Sequence, residues 1–221
     1  DAGADVTTTD AATLTAGTYI DVDAEGDVVL AAAATATGDI FIAGDDVTAD
    51  ALTAENVNID ADGTATLGNV VDAAVEANIE AEDIIVDADV KAAAVTLMAA
   101  NSISQTTGII TAETGDAIID AEAGAIDLDG AVEATAGNIT VDSAENNVTA
   151  GALTAAENVE VVAGSNELTD SNASVTLTGE VDAKNIIVTA DADVTANDTL
   201  TAGNDITIDA AGDVELNAAA K

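Results

Sequence analysis

Short runs in which apolar and polar residues alternate recur along nearly the whole chain. They are YIDVDA from Tyr19, NVNIDAD from Asn56, DIIVDAD from Asp83, NITVDSA from Asn138, NVEVVAG from Asn158, NIIVTADAD from Asn185 and DITIDAAG from Asp205. Alternation with a period of two puts one side of an extended strand in a core and the other in water, so each run predicts a strand. A second, shorter run follows in the same unit, as in GDVVLAA from Gly26 and GDVELNA from Gly212. The units recur at about 20 residues or its multiples, with a few longer spacings that predict loops. Leu14 and Leu200 open near-identical units, LTAGTYIDVDAEGDVVLAA and LTAGNDITIDAAGDVELNA, about nine such periods apart.

The punctuation is regular as well. Of the 17 glycines, Gly26, Gly38, Gly44, Gly68, Gly115, Gly137, Gly203 and Gly212 stand directly before Asp or Asn. Gly-Asp-Val reads as a corner followed by a strand, with Gly supplying a positive φ and Asp tying the turn. Short strands between corners at such a period describe the coils of a solenoid. The absence of Pro agrees, because nearly every amide would be needed between coils. One stretch contests this pattern: in VVDAAVEANIEAEDIIVDA, Val71, Val75 and Ile79 are four apart, as on a helix face. Val75, Ala77, Ile79 and Ala81 also alternate with polar residues, and the flanking units favour strand.

The expected fold is therefore all-β: one single-stranded parallel β-helix, or β-solenoid, over residues 1–221. It would have about ten coils of roughly 20 residues, with residues 1–13 a polar lead serving as a cap or an inter-subunit segment. Composition constrains what such a solenoid can do. There is one Phe, one Tyr, no Trp, Cys or His, and 48% hydrophobic residues, so the core must be thin and built from small and β-branched side chains. The 43 acidic residues against Lys91, Lys184 and Lys221 give a formal charge of −40, which raises disorder as an alternative. The positive mean hydropathy and the regular apolar pattern count against disorder. That charge repels nucleic acid and anionic membranes, since binding either needs cationic side chains. No apolar run approaches the roughly 20 residues of a membrane helix.

The pattern Leu-x-Ala-Gly, a polar pair, Ile-x-Ile/Leu-x-Ala, x-Gly, Asp-Val-x-Leu resembles the repeats of filamentous haemagglutinin-like secreted adhesins. LTAGNDITIDAAGDVELNA matches best, and the units at Leu14, Leu52 and Leu153 follow. The resemblance implies a right-handed parallel β-helix exposed at a cell surface. It has two departures: no counterpart of that family's amino-terminal secretion domain, and a core poorer in Leu and richer in Ala.

Chemistry is restricted by inventory. Without His or Cys there is no imidazole base and no thiolate, and without Arg no clamp for an anion, so no enzymatic activity is expected. Paired carboxylates could cleave glycosidic bonds, but with 43 acids such pairs arise by accident, and aromatic residues to stack sugars are all but missing. Five Asp-x-Asp pairs stand out: Asp21 and Asp23, Asp60 and Asp62, Asp87 and Asp89, Asp127 and Asp129, Asp191 and Asp193. With the middle residue inward both acids face out, and stacked coils would align them in files. Ca²⁺ between such carboxylates is one reading, and a hydrated face screened by salt is the other. The Thr-x-Thr pairs (Thr35 and Thr37, Thr64 and Thr66, Thr176 and Thr178) raise an ice-binding surface, which needs them in register on consecutive coils. Sequons at Asn138, Asn147, Asn172 and Asn197 would suit glycosylation outside the cell.

These features lead to one expectation and two alternatives. The expectation is an extracellular structural protein, secreted or on the cell surface, whose partner is itself, stacked head to tail into a filament with possible matrix contacts. It needs no cofactor beyond screening cations, of which Ca²⁺ is one candidate. The alternatives are a rigid stalk or passenger segment of a larger adhesin, and a calcium-binding or ice-binding surface module.

Overall fold

The computed structural model describes residues 2–9, 13–164 and 172–221, so part of the polar lead and residues 165–171 lie outside the described residues. The rest is a β-solenoid of about ten coils. Twenty-seven strands are present among the described residues, all paired in parallel, with no helix. Each coil contributes three strand segments, and these stack into three ladders. Ladder one runs from Leu14–Ala16 to the first half of Leu200–Ala210, on which Ala220 forms one further parallel bridge to Leu200. Ladder two runs from Ile20–Asp23 to the second half of that strand. Ladder three is a sheet of eleven strands from Val6–Thr7 to Val214–Leu216. The coil length varies, as bonds between adjacent coils show: Asn56 to Asp39 spans 17 residues, and Thr178 to Ala150 spans 28.

Alternation places the core. In one coil Leu52, Ala54, Val57, Ile59, Ala61, Ala65 and Leu67 all point inward and are buried. The next coil lays Val71 over Leu52, Ala77 over Val57, Ile79 over Ile59 and Ile84 over Ala65. One continuous apolar cluster results, made of Ala, Val, Ile and Leu drawn from all three ladders. Among the described residues the buried polar side chains are Gln105 and Ser143. The Ser143 hydroxyl donates to the Gly124 carbonyl at 2.8 Å and accepts the Asn146 amide at 3.1 Å. Gln105 takes a place between Val86 and Leu128, and its amide nitrogen donates to the Gly108 carbonyl at 3.0 Å.

The contested stretch is the strand Val71–Ala81, which spans ladders one and two without a break. It differs from simple alternation at one point. A register irregularity between Ala73 and Glu76 shifts the phase, so Val75 turns out to solvent and is 47% exposed, while Ala77 and Ile79 remain inside. DIIVDAD also takes a different place from its apparent equivalents. Ile84 and Val86 pair in ladder three with Thr64–Leu67 and Ile103–Gln105, and Ala77–Ala81 is the ladder-two segment of that coil. Both ladders use the same alternation, so pattern alone assigns a strand without assigning its side.

The Gly-Asp corners also work otherwise than expected. Among the described residues positive φ is confined to Gly108 and Gly164, neither of which precedes Asp or Asn. What several of the corners require is closeness. A Cβ on Gly44 would come within 2.7 Å of the Gly26 carbonyl oxygen, and one on Gly26, Gly63 or Gly212 would overlap the carboxylate of Asp5, Asp46 or Asp193 in the preceding coil. Those carboxylates accept backbone amides from the coil that follows. Asp5 accepts from Asp27 at 3.2 Å, Asp27 from Asp46 at 3.4 Å, Asp46 from Thr64 at 2.7 Å, and Asp193 from Asp213 at 2.8 Å. Gly thus makes room for the acid of one coil while Asp serves the next, and Val enters the core. At the corner before ladder two, amides do the same work: Asn138 donates to Asp116 at 2.9 Å, Asn158 to Asn138 at 2.8 Å and Asn185 to Asn158 at 2.6 Å.

Two substitutions probe this arrangement. Ile79→Ala should cost about 2–5 kcal/mol in urea unfolding, and Val75→Ala at most about 0.5 kcal/mol; a helix would make both costly. Gly63→Ala, pressed against the Asp46 carboxylate, should cost about 1–3 kcal/mol by overpacking.

Candidate functional site: an acidic groove and two open edges

The Asp-x-Asp pairs face solvent, but they do not form one aligned set. Asp21 and Asp23 lie on ladder two, where the next coil sets Phe41 beside Asp21 and Ala43 beside Asp23. Asp60 is on the same ladder with Glu80 as its neighbour, and Asp62 sits at the corner beyond. Asp87 accepts the Thr106 hydroxyl at 2.6 Å, and Asp89 accepts the Ile109 amide at 2.9 Å. Asp127 points out of ladder three between Ser104 and Thr149, with Asp129 at the following corner. Asp191 and Asp193 stand at the corner before Val194–Ala196, where Asp193 serves the amide of Asp213. Among the described residues no three His, Cys, Asp or Glu side chains are grouped so as to hold a metal ion.

Stacking was expected to set carboxylate over carboxylate, and the register largely avoids it. Along the outer file of ladder two, Asp60 adjoins Glu80 and Asp120 adjoins Asp142, while Ala43, Met98, Val162 and Thr189 occupy intervening places. A pair of charges one strand spacing apart repels by roughly 0.9 kcal/mol even in water, so interleaving neutral residues removes a penalty that would otherwise recur in every coil. Asp120 keeps part of it. Partial burial chiefly, then the charges of Asp142 and Glu122, hold its carboxyl above the ordinary carboxylate range. Lys91 and Lys184 reach Glu113 and Glu157 at 3.0 and 2.8 Å, tying neighbouring coils at exposed positions.

Two hollows share this face of ladder two. One, of about 510 Å³, is lined by Asp60, Asp62, Glu80, Glu82, Met98, Asp120 and Glu122. The other, of about 330 Å³, is lined by Asp21, Asp23, Phe41, Asn58, Asp60, Asn78 and Glu80. Asp60 and Glu80 belong to both, so the hollows join into a trough along the solenoid axis. Composition gave no hint of it. Phe41 reaches the surface because its neighbours Ile40 and Ile42 take the inward places.

The remaining surfaces are plainer. Thr residues form single files, Thr15, Thr35 and Thr53 on ladder one and Thr149, Thr176 and Thr195 on ladder three, whereas the Thr-x-Thr pairs are not repeated in register. Of the sequon residues, Asn138 is half-buried in the amide file, and Asn147, Asn172 and Asn197 are exposed. The described stack ends in open edges. At one, Val214 and Leu216 are 48% and 44% exposed, and Ile206 and Ile208 are only partly covered. At the other, Val6, Leu14, Ile20 and Val22 are partly covered.

Compared with protein-family models, curated proteins and solved structures, the chain matches none.

The raised Asp120 carboxyl fixes the sign of a pH effect. Its ionised form is disfavoured in the fold, so its contribution improves as pH falls through the folded pKa and levels off below the unfolded value of 3.8. Asp120→Asn should therefore raise the melting temperature at pH 7 and lose that advantage as pH falls toward 3.8, followed by circular dichroism. In EDTA at moderate salt the wild-type melting curve should not move; a drop would assign a structural cation to the acidic face.

Proposed function

We propose that this chain is a structural protein: a rigid, non-catalytic solenoid that works outside the cell and extends by stacking coil on coil, head to tail, with further copies of itself. The observation that carries this reading is the pair of open edges. Val214–Leu216, paired on one side with Val194–Ala196, presents the free edge of a parallel strand with two exposed apolar side chains, the kind of edge that recruits another strand. The corner file supplies a matching polar contact. Asp213 occupies the place from which Asp5, Asp27, Asp46 and Asp193 each serve an amide of the following coil. A second copy docking Val6 on Val214 would repeat the pairing of Val6 with Val28, and Asp213 would meet the amide of the incoming Asp5. Such a heterologous contact does not close, so it yields fibres rather than rings. The absence of His, Cys and Arg supports a non-catalytic role, and the absence of Cys suits a cell-surface or matrix setting.

The same edges favour one second reading, in which further coils of a longer chain cover them and the solenoid is a stalk. The length of the reading frame separates the two. A frame far longer than 221 residues favours the stalk.

Electron microscopy of the purified chain tests the filament directly. Filaments one solenoid wide are expected at about 0.15 M salt, where the screening length is near 8 Å, and dispersed rods at about 0.01 M, where it is near 30 Å and subunits of charge −40 repel. Short rods at every ionic strength would defeat the filament.

A further inference from the structure

The chain has one Tyr, one Phe and no Trp, and both aromatics lie at the surface. Tyr19 is 62% exposed and Phe41 44%. Phe41 pairs with Asp21 on ladder two, and Tyr19 stands two residues before Asp21, just ahead of the strand Ile20–Asp23. The apolar side chains of the core are all aliphatic, and exposed rings forgo the burial that aromatics normally provide. Phe41 instead forms an apolar wall of the 330 Å³ hollow, with Asp21, Asp23, Asn58 and Asp60 around it. Ala43, beside Asp23 and Asp60, keeps the floor low.

We propose that this hollow is a carbohydrate-binding site, and that its ligand is an extended, uncharged oligosaccharide lying along the solenoid axis. Three features select that chemistry. The site combines an aromatic face with a rim of polar groups: the carboxylates accept hydrogen bonds, and the Asn58 and Asn78 amides both donate and accept. A sugar ring offers the complement, a C–H face to lie on Phe41 and hydroxyls at its edge. The carboxylates repel anionic ligands, including charged polysaccharides. They also repel a second copy of this face, and two aromatic side chains fall far short of the roughly 800 Å² per partner of a stable protein interface. The trough is also longer than one ring. Through Asp60 and Glu80 it continues into the larger hollow, where Met98 lies three coil steps beyond Phe41, about 14 Å at the strand spacing. The site lies on the side of the solenoid, so it does not depend on how the coil edges are covered.

Tyr19 is the only Tyr and there is no Trp, so ultraviolet emission reports on this region alone. The whole chain is titrated with cellohexaose, xylohexaose and maltohexaose, and with a hexamer of galacturonic acid, by calorimetry and by Tyr19 emission. At least one neutral hexamer should bind and shift the emission, and the acidic hexamer should bind at least tenfold more weakly. Phe41→Ala should weaken binding about tenfold, the loss of one stacking contact, while Phe41→Tyr stays within about threefold. Both variants should keep the wild-type melting temperature, because the ring is exposed. The proposal is overturned if no neutral hexamer binds at millimolar concentration, if the acidic one binds as well, or if Phe41→Ala binds unchanged. It is equally overturned if Phe41→Ala abolishes self-association while no sugar binds, which would make the face a protein interface.

Discussion

Everything in this molecule depends on coils lying one strand spacing apart. At about 4.8 Å each backbone amide and carbonyl finds its partner in the coil above or below, and each side chain finds its own kind of position directly over it. The spacing demands small residues where chain meets chain. It also turns every position of the repeat into a column of about ten residues, so a choice made once is felt ten times. The inward columns of Ala, Val, Ile and Leu are the favourable outcome. A column of aligned carboxylates would be the unfavourable one, and the placing of Ala43, Met98, Val162 and Thr189 breaks it.

That constraint explains what the sequence disclosed. Period-two runs such as Ile20–Asp23 and Ile139–Ser143, repeated near 20 residues, specify parallel strands in stacked coils, because no other architecture buries such thin apolar runs so regularly. Register was not legible. DIIVDAD looked like its ladder-two counterparts because alternation says which side chains go in, and not which side of the coil a strand belongs to. The bulge that turns Val75 outward has no local signature, since Val is as welcome inside as Ala77. The corner glycines were recognised for the wrong reason. At Gly26 and Gly212 the need is for the space occupied by a carboxylate one coil away, and at Gly38 and Gly44 for that of a backbone carbonyl, which a turn read in isolation cannot show. The trough was hidden too, because Phe41 and Asp60 are neighbours only through stacking.

The charge of −40 takes on a different meaning once the columns are known. Many of the acids bind the fold together by accepting amides across coils, as Asp46, Asp83 and Asp193 do. Hydrogen bonds to a charged acceptor are shorter and stronger than those between neutral groups. Acids that line the trough have no such general role, and they give one side of an otherwise uniform rod a distinct character.

The three ladders do not begin and end together. Ladder three opens with Val6–Thr7 before ladder one has started at Leu14, and at the far edge Val214–Leu216 lies beyond the last full strand of ladder two. Each edge of the described stack is therefore a stair rather than a flat disc. A stair marks one place on the circumference of the coil: of the ways to set one coil on another by turning about the axis, only one brings step to step. Whatever continues the stack, a further coil or another copy, is keyed in angle as well as in position, and the repeat carries its own phase along the fibre axis.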